Sequence, residues 1–423
     1  MSWFYLSETA FKAAVIFYVL AIGLYLLYLA RKSAGPGRAA TAAAVAAVTL
    51  HTLGLAFRWI QAGIAHPPFT NLYESLLFFS WGIAVFYLVI ESKYKFKAGG
   101  AFILPVALGA MGAAVLNPSS GKEIQDLMPA LQSHWLHAHV AIAALAYGAF
   151  VASFGASLMF MVKDGVPRKW LGLAANLFMA FMTLVSDRFN ILLHGYFTLN
   201  TVTPDGQVTA DLATLRGPGK LLLIAAIYFV IAAGLYLFRK DDELKSAAIL
   251  GIPYAPFVTL LGTLSAAVGL IVLSRATLTD PALALFGNPF KIIILCLVIF
   301  VGGATVALDL TLPRIREFLP DANKLDNMNY VIITIAFPLM TMVIVTGAVW
   351  AKHAFGQYWQ WDPKETASLI TWLIYTIYLH SRTSLNWPPR RVAAISILGF
   401  ASVVFTYLGV NVIGPGYHAY ASF

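Results

Sequence analysis

WAKHAFGQYWQWDPKETASLITWLIYTIYLH, residues 350 to 380, joins a polar-aromatic segment to an apolar helix. Asp362 suits an N-cap and Pro363 the first helical position. Glu365, three residues past the cap, gives a variant of the capping box. The helix carries His380 near its far end. It holds the aromatic segment at a membrane surface, where Trp and Tyr gather on ordinary grounds. One indole there would need no further explanation. Here Trp350, Tyr358, Trp359, Trp361 and Asp362 fall within thirteen residues, with Gly356 among them, in a loop rather than around a helix. That density points to a flat apolar platform for a planar ligand.

Outward from this stretch, the 423-residue chain is 60% hydrophobic and 11% charged, with a mean hydropathy of +0.77. These values place it among polytopic membrane proteins. A helix crossing a ~30 Å hydrocarbon core needs about 20 apolar residues. Twelve such runs are predicted, at 11–30, 40–64, 72–91, 100–116, 139–162, 171–193, 219–238, 250–274, 289–311, 330–349, 365–381 and 392–412. The expected fold is an all-α polytopic membrane protein with about twelve transmembrane helices. The first run is too long for a cleaved signal and lacks a small-residue cleavage site, so it reads as a retained span. The net charge of +9 marks cytoplasmic loops and gives no reason to expect a nucleic-acid partner. The lone cysteine, Cys296, excludes disulfide or Cys-x-x-Cys chemistry within the chain.

Lys and Arg alternate between loops. One set holds Arg31, Arg38, Lys93, Lys163, Arg239, Arg316, Arg382 and Arg390; the other is poor in both. The positive-inside rule makes the first set cytoplasmic and puts both termini outside. His66, His134, His137, His139, His194, His353 and His418 then fall at the external face, while His51 and His380 lie within spans.

The run GQYWQWDPKET followed by ITWLIYTIYLHSR closely resembles the WWD domain of the heme-handling proteins of cytochrome c biogenesis, in the CcsA (ResC) family of the system II route. Residues 51–81, HTLGLAFRWIQAGIAHPPFTNLYESLLFFSW, resemble that family's N-terminal signature. Trp135-x-x-x-His139-Val140 resembles its first external histidine motif, with His134 and His137 as nearby competitors. FTYLGVNVIGPGYHAYASF, residues 405–423, resembles its C-terminal motif, in which His418 is the second external histidine. The chain departs from the family where Phe355 and Ala367 replace Trp and Tyr417 replaces Leu.

The resemblance implies heme b held on an external WWD loop between His139 and His418, with Trp350, Gly356, Tyr358, Trp359, Trp361 and Asp362 forming the platform. It implies delivery of heme to apocytochrome c, whose Cys-x-x-Cys-His cysteines form thioethers with the heme vinyls. The chain would act as a cytochrome c heme lyase or synthase subunit alongside a CcsB (ResB)-like membrane partner. The setting would be the bacterial cytoplasmic membrane, ahead of the thylakoid, with the working face outside. Competing readings are a CcmC/CcmF-type heme exchange protein and a heme-containing transporter or electron-transfer subunit.

Arg58 and Glu74 are costly near lipid unless paired or wet. Two roles stand side by side: a structural pair with Glu74, or Arg58 at a heme propionate, which guanidinium grips bidentately. His380 is expected to ligate a second, intramembrane heme. At 1.5 Å per residue it lies ~6 Å from the inner end of its span, and His51 ~18 Å from the inner end of its own. That ~12 Å gap exceeds the ~4 Å available to two ligands on one metal. A partner-supplied ligand opposite His380 is therefore favoured, with His51 as the alternative. Three regions are expected: 1–164 with His139, an insert at 165–320 with a polar external loop, and the WWD region 321–423.

Overall fold

In the computed structural model the described residues are 3–31, 33–63, 66–69, 71–115, 124, 132–187, 189–202, 208–239, 248–249, 252–279 and 289–409. The helices are α1 (Trp3–Arg31), α2 (Ala34–Ala62), α3 (Leu72–Tyr94), α4 (Gly100–Val115), α5 (His134–Lys163), α6 (Arg168–Val185), α7 (Asn190–His194), α8 (Arg216–Leu237), α9 (Tyr254–Thr279), α10 (Pro289–Phe318), α11 (Ala322–Phe355), α12 (Pro363–Thr383) and α13 (Pro389–Val404). Every expected span contains a helix, and the chain is an all-α polytopic membrane protein. Among the described residues nine helices are long and apolar enough to cross a membrane. The helices in the other three expected spans are α4, α6 and α12, and α7 is a single turn. α4 has 16 residues, ~24 Å at 1.5 Å each, and α12 is diluted by Thr, Ser and its charged ends.

Two local features differ from the expected spans. The run at 171–193 is broken: α6 ends at Val185, Phe189 takes a left-handed φ of 65°, and α7 follows as a single turn. The polar loop expected in this region is an antiparallel hairpin, β1 (Phe197–Val202) with β2 (Val208–Leu215), pairing Phe197 with Leu215 and Val202 with Val208. Its Pro204-Asp205-Gly206 turn lies outside the described residues.

The chain divides into two compact units, and residues 165–316 make up nearly all of the second. In the first, α1 lies on α2 through buried small residues such as Ala14, Ala40, Ala43, Ala44 and Ala47, the packing available where no hydrophobic drive separates helix from lipid. α3 crosses α5 at a pair of glycines. A Cβ on Gly82 would meet the Ala144 carbonyl oxygen at 2.8 Å, and one on Gly148 would meet that of Gly82 at 2.8 Å. The backbones touch there, so neither position accepts a side chain.

A buried polar network joins α5, α11, α12 and α13. Ser153 donates to Asn329 Oδ1 at 2.7 Å and lies 2.8 Å from the Ser396 hydroxyl; Asn329 Nδ2 donates to the Tyr378 hydroxyl at 3.2 Å. Near it, Arg382 at the end of α12 donates to Asp326 at the start of α11 at 2.6 Å. The Leu325-Asp326-Asn327 motif and the Arg that follows His380 are thus two halves of one clamp. In the second unit α8 packs on α6 and α9, and Asp187 caps the hairpin by accepting from the Thr198 N–H at 2.9 Å.

Candidate functional site

α3, α5, α11 and α12 close around a cavity of about 190 Å³ in the first unit, at the opposite end of α5, α11 and α12 from Lys163, Asp326 and Arg382. Asn71 and Ser75 line it from α3 and its cap, His139 and Tyr147 from α5, Val343 and Gly347 from α11, and Tyr358, Trp359 and Lys364 from the loop and first turn before α12; Tyr407 completes the wall beyond α13.

His139 is oriented from behind. Its Nδ1 lies 2.9 Å from the Val343 carbonyl oxygen. A carbonyl only accepts, so Nδ1 carries the proton and the ring lone pair falls on Nε2, the arrangement a metal-ligating imidazole needs. Gly347 makes room for the ring: a Cβ there would meet His139 Cε1 at 2.9 Å and Nδ1 at 3.0 Å. Trp350 lies nearly parallel to the imidazole, 6.5 Å away at 15°, and is itself buried against Leu136 and Phe355. Of the competing histidines, His134 is exposed, His137 packs edge-on to Phe69, and neither lines the cavity.

The Trp loop is built from both ends. α11 stops where Gly356 takes a φ of 83°, a left-handed C-cap that glycine accepts without a Cβ clash. Lys352 Nζ donates to the Gly356 carbonyl at 2.8 Å and sits 5.6 Å over the Tyr358 ring. At the other end Asp362, 4% exposed, accepts from the Lys364 N–H at 2.9 Å, and Glu365 Oε2 accepts from the N–H groups of Asp362 and Gln360 at 3.3 and 2.8 Å. One carboxylate therefore holds two loop amides, that of Gln360 lying beyond the ordinary capping box. Trp359 and Trp361 stand perpendicular at 5.8 Å. Trp361 keeps a left-handed backbone (φ 57°) and its indole is 71% exposed.

The remaining sequence-predicted residues lie elsewhere. Arg58 is buried and donates to Glu74 Oε1 at 2.7 Å, over the Tyr73 ring, and it is not among the residues lining the cavity. The two ends of the Asn71-x-Tyr73-Glu74 motif thus separate: Glu74 ties α3 to α2, while Asn71 caps α3 and faces the cavity. His51 is fully buried between the edges of Phe11 and Tyr18, with Tyr18 hydroxyl at 3.2 Å from Nδ1. His380 is exposed on the surface of α12. His51 and His380 are not brought together. His418 and Tyr417 lie outside the described residues.

Sequence reasoning missed Lys364, seen there only as part of the cap motif. Burial lowers its pKa from the usual 10.5 to about 8, against the pull of Asp362 toward the charged form. It brings a titratable cation to the cavity ahead of the apolar part of α12. A Lys beside an N-cap in an aromatic loop was the available signal.

A sequence model of the cytochrome C assembly protein family matches residues 69–203 and 254–418. Among relatives, the cytochrome c biogenesis protein CcsA of Nostoc sp. (strain PCC 7120) is 32% identical over 382 residues, 90% of this chain and 87% of that one. The CcsA of Microcystis aeruginosa is 29% identical over 393 residues, 92% and 88% of the two chains. Among solved structures the cytochrome c heme lyase CcmF superposes with a TM-score of 0.35 at 13% identity, covering 97% of this chain and 71% of that one, a likeness too low to build on. Matched across both its histidine-bearing helix α5 and its Trp loop, the chain belongs to the CcsA family of cytochrome c biogenesis proteins.

Proposed function

We propose that this chain is the heme-handling subunit of a cytochrome c synthase, presenting heme b on the face that carries the Trp loop. The observation that carries the reading is His139: its Nδ1 is held by the Val343 carbonyl, its lone pair lies on Nε2, and it lines a cavity shared with Tyr358 and Trp359. The donor set suits heme, with an imidazole for iron, aromatic faces for the macrocycle and the Lys364 ammonium for a carboxylate. Pockets that enclose a drug-sized ligand run to ~300–1,000 Å³. A cavity of 190 Å³ would take one edge of a porphyrin and leave the rest over the loop, reachable by a second protein. His418 would supply the opposite ligand.

The substrate brings the nucleophiles. Each cysteine S–H of apocytochrome c adds across a heme vinyl group, so sulfur and hydrogen both end on the former double bond and nothing leaves. This chain contributes position, which is catalysis largely by proximity. The face in question is external in the bacterial cytoplasmic membrane, and His380, exposed on α12, would pair with a ligand from a CcsB-like partner rather than with His51, which is enclosed by α1 and α2.

The test is co-expression with a CcsB-like partner and a c-type reporter in a strain lacking its own system. Covalent heme on the reporter is expected with wild type and lost with His139→Ala or His418→Ala. Added imidazole should restore part of it by filling the vacant axial position. Wild-type maturation by both variants would refute the ligand assignment.

A further inference from the structure

The second unit holds an arrangement that heme handling does not use. Just past α8, Arg239 Nη1 lies 3.0 Å from both carboxylate oxygens of Asp309 on α10, with only 10% and 5% of the two side chains exposed. Arg239 Nη2 is buried and has no partner. The guanidinium carbon sits 5.7 Å from the centre of the Tyr236 ring, and the Tyr236 hydroxyl is buried beside the Thr259 side chain, with no bond of good geometry. A third donor, Arg168 Nη1 in the first turn of α6, is, like Arg239 Nη2, buried without a partner. α6 brings it there: a Cβ on Gly172, one turn along, would come within 2.3 Å of the Tyr236 ring. The charges of Asp309, Arg239 and Arg168 all act at the Tyr236 hydroxyl.

Two guanidinium groups and one carboxylate gather around Tyr236, so the cluster carries one positive charge in excess. Arg168 Nη1 and Arg239 Nη2, both on cations, are left over, and the Tyr236 hydroxyl has only Thr259 beside it. Buried donors of this kind are expensive unless something accepts from them, most of all when they belong to cations. Guanidinium forks and a hydroxyl are the donors that hold tetrahedral oxyanions. The cluster also lies where the apolar spans of α8 and α10 end, at Leu237 and Leu312, which is headgroup depth. Arg316 nearby, donating to the Val166 carbonyl at 3.0 Å, adds to the positive field.

We propose that Arg168, Tyr236 and Arg239 form a binding site for a phosphate-class oxyanion, presented by the headgroup of an anionic phospholipid. The site lies wholly in the 165–316 unit and does not rest on the heme reading. Asp309 takes one side of Arg239 and aims the other nitrogen at the anion, so the carboxylate positions the donor rather than competing for it.

The test uses the full chain in neutral detergent, with phosphatidylglycerol, phosphatidylcholine and inorganic phosphate as separate probes, and reads bound lipid by native mass spectrometry and affinity by thermal shift. Removing one charged donor should weaken binding by about tenfold or more, and removing the neutral hydroxyl by a few-fold. Arg168→Gln and Tyr236→Phe are the variants, since both leave the Arg239–Asp309 pair intact. Arg216→Gln, the same charge change at the other end of α8, should bind as wild type. Phosphatidylglycerol retained by wild type and lost in Arg168→Gln, with phosphatidylcholine and phosphate ineffective, supports the lipid source. Binding of inorganic phosphate with the same variant pattern and no preference for lipid overturns the lipid source. If Arg168→Gln and Tyr236→Phe keep wild-type affinity for every probe while unfolding at the wild-type temperature, the site itself is refuted.

Discussion

At the scale of single residues, His139 shows how little of a side chain's setting is visible in its own letter. Three histidines crowd the start of α5, and only the resemblance of Trp135-x-x-x-His139-Val140 singles one out. What the sequence does not show is its setting on α11, where the Val343 carbonyl accepts from Nδ1 and Gly347 leaves room for the ring. Gly347→Ala is therefore expected to displace the imidazole by the few tenths of an ångström a Cβ requires. The purified variant should show weakened axial ligation in its absorption spectrum at unchanged protein abundance; loss of abundance without a spectral change would point to packing instead. Lys364 makes a prediction about pH. Its folded pKa is lowered to about 8 while the unfolded chain keeps 10.5. Between these values the unfolded state binds more protons, so stability rises with pH across that window; below about 8 the cost of the buried charge is constant. Heme-free wild type should gain thermal stability relative to Lys364→Gln from pH 8 to 10. With heme bound, the trend should reverse in occupancy, because a carboxylate meets the ammonium best below pH 8.

Whole elements were the most legible part of the chain. Apolar runs of about 20 residues mark the long helices, and the Asp362-Pro363-Lys364-Glu365 cap is readable because it depends only on near neighbours. The reach of Glu365 to the Gln360 amide was not readable, since it requires the loop to fold back first. The hairpin at 197–215 carried a signal that hydropathy passes over, alternating Thr and Val on both sides of Pro204-Asp205-Gly206. Breaking the cap should act on the loop and not on the iron. Losing an N-cap costs roughly 0.5–2 kcal/mol, so Asp362→Ala should lower heme occupancy while the heme that remains keeps its axial signature. An altered ligand spectrum would assign Asp362 a different role.

The whole molecule is where reading from the sequence stops. His139 and Val343 are 204 positions apart, and no pattern in either stretch names the other. The same limit applies to His51 and His380, whose depths could be compared along their helices but whose faces could not: one is enclosed, the other looks outward. If His380 receives heme that later reaches the outer site, His380→Ala should lower heme per protein at both sites. His139→Ala should hold heme inside while abolishing cytochrome synthesis. Unchanged heme per protein in His380→Ala would leave that residue without a part in the route.

The clamp between Arg382 and Asp326 has a mechanical meaning for this route. α12 has 21 residues, a rod of ~31 Å, anchored to α11 two residues beyond His380 and carrying the Trp loop at its other tip. About one degree of tilt at the anchored end swings the tip by ~0.5 Å, and a misplacement of ~1 Å at a reacting centre costs about a hundredfold in rate. The ion pair fixes one end of this rod, and the Trp372 indole N–H, donating to the Thr341 hydroxyl at 3.0 Å, holds its middle to α11, so the aim of the aromatic tip is set in part some thirty ångströms away.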